Sequence, residues 1–138
     1  MLISTRGRYA LRVMLELAQD SGDGYMPLPL IAQRQGISEK YLESIISVLA
    51  KARLVEGQRG KGGGYRLSRA PKDCSVGEIL RLTEGSLAPV ACLEGETNTC
   101  PRADGCLSLP VWHRLDTLIN DYLNSVSLAD LLAESGAR

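Results

Sequence analysis

The sequence predicts a mainly α fold with a small two-stranded β wing: a winged helix-turn-helix followed by a long C-terminal dimerisation helix. Three features carry this. Two helical stretches flank the short turn Gln35-Gly36-Ile37-Ser38. The apolar period then changes from helical to strand-like around a glycine loop. Near the end of the chain, Val111, Leu115, Leu118 and Tyr122 recur in steps of four, three and four, the spacing of a helix–helix seam.

In chain order, Tyr9, Leu11, Val13, Met14, Leu17 and Ala18 give an apolar face at helical spacing and predict a helix over 4–20. The segment 21–24 reads as a loop. A second helix fits 28–35, with Pro29 tolerated in its first turn and Gly36 closing it. Ser38 caps a third helix over 39–53, whose stripe is Leu42, Ile45, Ile46, Leu49 and Ala52. Short strands fit 55–58 and 65–68. A fourth helix fits 76–83 behind Ser75, a long one 107–124, and a short one 128–133 behind Ser127. Three units follow: 1–72 as the winged helix-turn-helix (helix pair about 28–51, wing about 54–68), 73–106 as a linking helix and cysteine-rich loop, and 107–138 as the dimerisation helix with a short terminal one.

The chain has 138 residues and a formal net charge of zero, but the charge is segregated. Residues 1–72 hold twelve Lys and Arg against six Asp and Glu, and residues 73–138 hold four against ten. A basic N-terminal half suits a polyanion. No apolar run approaches a membrane span, and Arg6, Arg8 and Arg12 interrupt any signal-peptide core, so a cytoplasmic protein is expected. No paired acid and base, no nucleophile elbow and no partnered histidine points to an enzyme.

The stretch RGKGGGYRLS (59–68) has four glycines and two cations in its first six residues. A Walker A loop needs Ser or Thr after its lysine, whereas Gly62 follows Lys61. A dinucleotide fingerprint begun at Gly60 would need glycine where Tyr65 stands. A wing tip meets neither objection, although a plain hairpin would satisfy the same residues. As a wing it lets Arg59, Gly60, Lys61 and Gly62 reach the DNA backbone or minor groove. The third helix enters the major groove, offering Ser38, Lys40, Tyr41, Glu43 and Ser44 to bases and phosphates, with Glu43 able to accept from cytosine N4.

Cys92, Cys100 and Cys106 form a C-x7-C-x5-C loop, unlike the paired spacing of a zinc ribbon. Three thiolates on an irregular loop with Gly95, Pro101 and Gly105 can wrap an iron–sulfur cluster. Unligated thiols, or a disulfide acting as a redox switch, remain the alternatives. Cys74 stands apart beside a helix cap and reads as a partly buried small residue. Trp112, Ile119, Leu123 and Val126 widen the stripe of the long helix beyond one core face, which favours a homodimer.

The stretches GRYALRVMLELA, PLPLIAQRQGIS-x2-YLE, RGKGGGYRLS, SVGEILRLTEG, the three-cysteine loop and LINDYLNSVSLADL cover nearly the whole chain. In these the sequence resembles the iron–sulfur cluster regulator (IscR-like) superfamily of winged helix-turn-helix transcription regulators. The resemblance implies a homodimer on a double-stranded DNA operator and a cluster, 2Fe-2S or 4Fe-4S, held by Cys92, Cys100 and Cys106. The superfamily's namesake has a histidine three residues after the last cysteine, where this chain has Leu109. Nitric-oxide-sensing relatives recruit an acidic residue from the partner's first helix, where this chain has Arg8. The fourth ligand is therefore not carried over, and Asp104, Glu94, Glu96, His113 and a small exogenous ligand stay open. A metal-free redox-switch regulator of the same fold is the alternative function.

Overall fold

Ser4 starts the first helix, α1 (Thr5–Gln19), by accepting a hydrogen bond from the Gly7 N–H at 3.1 Å. In the computed structural model, which describes residues 2–20 and 24–136, α1 buries Ala10, Val13, Met14 and Leu17 along one face. The loop expected over 21–24 lies, apart from Gly24, outside the described residues.

Helix α2 (Leu28–Gln35) has Pro29 in its first turn and ends at Gly36, which takes a left-handed φ of 67°. Ser38 then caps α3 (Glu39–Lys51), its Oγ accepting from the Tyr41 N–H at 3.0 Å. Leu42, Ile45, Ile46 and Leu49 are all buried. They pack with the α1 face, Ile31, Leu54 and Val55 into the main core.

Helix α3 stops two residues short of the expected end. Arg53 adopts a left-handed φ of 63°; its N–H donates to the Ala50 carbonyl, and the Leu54 N–H donates to the Leu49 carbonyl, both at 3.0 Å. This is the capping geometry glycine usually provides. A non-glycine residue adopts it at a cost of roughly 1–2 kcal/mol, so nothing local marks the stop.

The wing pairs β1 (Val55–Gln58) antiparallel with β2 (Gly64–Leu67), Glu56 opposite Arg66 and Gln58 opposite Gly64. The second strand begins one residue earlier than expected. Ser68 lies beyond it, its N–H donating to the Leu54 carbonyl. Tyr65 also exchanges two backbone hydrogen bonds with Met26, at 2.8 and 2.9 Å, so the segment before α2 pairs with the wing. Gly64 allows this: a Cβ there would collide with the Met26 carbonyl.

Helix α4 (Val76–Glu84) is capped by Ser75 and lies against α1. Short 3₁₀ turns at Ala91–Leu93 and Ala103–Gly105 punctuate the following loop, which leads into α5 (Leu109–Ser125). The final helix, α6 (Leu128–Gly136), begins with a reciprocal cap: Ser127 Oγ accepts from the Asp130 N–H, and Asp130 Oδ2 accepts from the Ser127 N–H.

The chain end folds back on the first half. The Val76 N–H donates to the Val126 carbonyl at 2.8 Å and the Leu128 N–H to the Cys74 carbonyl at 3.0 Å. Leu128 and Cys74 are both fully buried in the main core. Cys74 was expected to be partly buried; the returning chain covers it completely.

Helix α5 has two apolar faces. Ile119 and Leu123, with Val126 just beyond the helix end, pack with Val76, Leu80 and Leu87 into a second cluster. Arg81 fastens that contact by donating to Asn120 Oδ1 and Asn124 Oδ1 at 2.8 and 2.7 Å. Val111, Leu115, Leu118 and Tyr122 face outward, 59, 38, 48 and 66% exposed. Among the described residues no helix is long and apolar enough to cross a membrane.

Candidate functional site

The helix-turn-helix is α2, the turn through Gly36 to Ser38, and α3. Its predicted contact residues divide by environment. Lys40 and Glu43 are exposed on α3. Tyr41 is half-buried, its ring meeting Tyr9 edge-on with centroids 6.1 Å apart. Ser38 Oγ serves the α3 cap. Ser44 is half-buried and engaged: its hydroxyl donates to the Tyr41 carbonyl at 2.7 Å, while Arg6 Nη1 donates to its Oγ at 3.1 Å and Arg6 Nη2 to its carbonyl at 2.9 Å. Arg6 thus bolts α1 to the middle of α3. Its role was missed because its partner lies 38 residues away.

In the wing, Arg59, Gly60, Lys61 and Gly62 are all exposed at the tip. Gly60 and Gly62 take φ values of 87° and 77°, and the Gly63 N–H closes the turn on the Gly60 carbonyl at 3.0 Å. The base of the wing is held by Arg66, which pairs with Glu56 at 2.7 Å and lies over the Tyr25 ring at 4.4 Å.

A third set of contacts joins α4 to the start of α1. Glu84 Oε1 accepts from both the Ser4 N–H at 3.0 Å and the Ser4 hydroxyl at 2.6 Å. The first turn of α1 has no acidic residue of its own. Glu84 supplies the negative charge that the positive end of the helix dipole favours. The carboxylate lies over Gly7, where any Cβ would displace it.

The cysteine loop hangs between α4 and α5. Each cysteine has its backbone braced by a turn. Cys92 lies within Ala91–Leu93. Cys100 donates its N–H to Asn98 Oδ1 at 2.9 Å and accepts at its carbonyl from the Ala103 N–H at 3.1 Å. Cys106 accepts at its carbonyl from the Leu109 N–H as α5 begins. All three thiols are free and half-buried.

Cys106 Sγ lies 3.4 Å from Ser108 Oγ, so Ser108 serves the thiol and makes no side-chain cap on α5. The Ser108 hydroxyl is the main cause that lowers the Cys106 pKa; desolvation opposes it, and the Ser108 and Leu109 backbone N–H groups and the Arg102 charge add to the lowering. Cys74 goes the other way: burial pushes its thiol up, although Arg69 opposes this.

Among the described residues no three or more His, Cys, Asp or Glu side chains are gathered as a metal-holding group. The fit to an iron–sulfur cluster rests on donor chemistry: three free soft-ligand thiols and, in the same loop, an orphaned donor. Asn98 Nδ2 is buried with no hydrogen-bond partner, a state that costs about 1–3 kcal/mol when left unsatisfied. An anionic sulfur is a suitable acceptor for it. Asp104, Glu94, Glu96 and His113 are all exposed, Leu109 is half-buried, and Arg8 is turned to Thr5 Oγ1 at 3.2 Å.

A family model described as Rrf2, iron-dependent transcriptional regulator, matches residues 3–134. The chain belongs to the Rrf2 family. It is 38% identical over 138 residues to the HTH-type transcriptional regulator IscR of Photobacterium profundum, covering 100% of this chain and 79% of that one. Among solved structures it resembles T. potens IscR with a TM-score of 0.77 at 39% identity, covering 98% of this chain and 88% of that one. It also resembles CymR, the global cysteine regulator of B. subtilis, with a TM-score of 0.79 at 36% identity, covering 97% and 98%. Rrf2 membership makes this chain a transcription regulator rather than an enzyme. The winged-helix reading of the sequence agrees with these structures.

Proposed function

We propose that this Rrf2 regulator binds a double-stranded DNA operator as a homodimer, with an affinity set by an iron–sulfur cluster on Cys92, Cys100 and Cys106. The observation that carries the cluster reading is the loop itself: three free thiols on braced turns, with a buried, unpaired amide nitrogen among them. The cluster supplies a redox- and ligand-sensitive group; the protein supplies the thiolates. Cys106 is prepared for this role, because its surroundings favour the thiolate.

Residues 1–72 serve as the reading head in this proposal. Lys40 and Glu43 meet the major groove, and Arg59 and Lys61 meet backbone or minor groove; their exposure supports this. Ser38, Tyr41 and Ser44 shape the helix that carries the readers. Residues 73–106 supply the linking helix and the cysteine-rich loop that holds the cluster. Residues 107–138 pair the two copies through the outward face of α5, whose four apolar side chains favour removal from water. Ser108 places the last cysteine directly against that helix, so a change at the sulfur reaches the dimer seam within a few residues.

The test is anaerobic reconstitution with iron and sulfide, followed by spectroscopy, metal and sulfide analysis, and operator binding with and without the cluster. A coloured protein with altered operator affinity supports the proposal. A metal-free cysteine redox switch is the second reading, favoured by the lowered pKa of Cys106 and by three free thiols in one loop. It predicts a colourless protein whose operator binding changes on mild oxidation and recovers with dithiol.

A further inference from the structure

We propose that Asn98 donates its Nδ2 hydrogen to sulfur of the iron–sulfur cluster, and so tunes the cluster's reduction potential. This rests on the cluster reading above.

Asn98 Oδ1 accepts the Cys100 backbone N–H at 2.9 Å. A backbone N–H needs an oxygen there, so the two ends of the side chain are not interchangeable. The nitrogen end is thereby fixed as the free one. It is buried, and it has no acceptor.

Among the described residues it is the only buried side-chain nitrogen or oxygen left without a partner. The other buried side-chain nitrogens and oxygens of the described residues are matched, as native interiors require, so the exception calls for an acceptor. Asn98 lies between Cys92 and Cys100, two residues before the latter. The same side chain therefore holds the backbone of one thiolate ligand and presents a donor within the ligand loop. The chemistry that would satisfy it is an anionic sulfur, either thiolate or bridging sulfide.

A neutral N–H pointed at sulfur stabilises the more negative, reduced cluster and raises its potential; such hydrogen bonds are among the main controls on iron–sulfur potentials. Asn98 would also work as a simple brace for the Cys100 turn, so the test must separate donor from brace. Asn98→Asp keeps the acceptor for the Cys100 N–H and removes the donor. Asn98→Ala removes both.

The experiment uses the full chain, reconstituted anaerobically with iron and sulfide. Resonance Raman spectra are taken in H₂O and D₂O. Asparagine carrying ¹⁵N in its side-chain amide is used to look for nitrogen coupling to the reduced, paramagnetic cluster. The wild type is expected to show deuterium-sensitive iron–sulfur bands and a ¹⁵N coupling. Both variants should lose the coupling and part of the deuterium shift, and Asn98→Ala should titrate at a lower potential than the wild type. An Asn98→Asp cluster that keeps the full deuterium shift leaves the residue a brace and overturns the proposal. So does a loaded wild type without ¹⁵N coupling, a result that needs no variant to load. A wild type that takes up no iron and sulfide overturns this proposal and the cluster reading together.

Discussion

The Arg6 guanidinium grips Ser44 at two atoms, donating to its hydroxyl at 3.1 Å and to its carbonyl at 2.9 Å. A cation on the first helix thus sets the orientation of the third, and Ser44 is occupied in being held. Arg6→Ala removes both bonds and should destabilise the fold by about 1–3 kcal/mol. It should also weaken operator binding more than one lost surface charge would. Ser44→Ala leaves the carbonyl contact in place, so it should cost less and leave base selectivity unchanged. Thermal denaturation with fluorescence anisotropy on operator and scrambled duplexes checks both. A selectivity change in Ser44→Ala would return that hydroxyl to the base-reading set.

The cysteines should separate by environment. Cys92→Ala, Cys100→Ala and Cys106→Ala should each abolish or severely weaken cluster uptake, because each removes one of three thiolates. Cys74→Ala should load normally and lose stability, since its side chain is fully buried in the core. In the metal-free protein, iodoacetamide should modify Cys106 well before Cys74 as pH rises, because a lowered pKa means more thiolate at a given pH. Cys74 should react last, as burial both raises its pKa and shields it. Peptide mapping after timed alkylation gives the order.

The helices were legible because their signals are local. Ser38 and Ser75 cap from the adjacent position, Gly36 closes α2, and apolar residues repeat every three to four positions. Arg53 was not legible, since its left-handed φ is imposed by packing and backbone hydrogen bonds at a residue that does not prefer it. Contacts distant in sequence were also hidden: Glu84 on Ser4, Arg6 on Ser44, Met26 on Tyr65, and Leu128 in the core. The wide stripe of α5 was visible as an excess of apolar residues. Which of them face α4 and which face outward depends on where Arg81 anchors the helix. In the cysteine loop, the spacing pointed to the thiols. The unpaired Asn98 Nδ2 emerges only from the fold, because an asparagine in a polar loop looks ordinary in sequence.

The outward face of α5 gives a prediction that separates association from folding. Leu118 and Tyr122 are 48 and 66% exposed in the single chain, so charging them should leave the monomer folded. Leu118→Asp with Tyr122→Asp places two carboxylates in the proposed seam, where burying unpaired charge is prohibitive. Sedimentation should show a monomer, with helical circular dichroism retained. An intact dimer would place the interface elsewhere.

The wing and the third helix should fail in different ways when altered. Lys61 is exposed at the wing tip, and as a phosphate contact its loss should weaken all sequences alike. Lys61→Ala should lower the slope of log affinity against log salt by about 1. Glu43 is exposed on α3, where a carboxylate can accept from cytosine N4 but also repels phosphates. Glu43→Ala should therefore relax selectivity at one base pair by roughly 1–3 kcal/mol, while non-specific binding stays the same or tightens. Arg59 can combine both effects if it enters a narrow minor groove, where the negative potential is strongest. Fluorescence anisotropy on a selected operator and a scrambled duplex, across a salt series, distinguishes the cases. Equal losses on both duplexes for Glu43→Ala, with no effect of Lys61→Ala or Arg59→Ala on either, would remove this surface from DNA recognition and leave the glycine-rich stretch an ordinary hairpin.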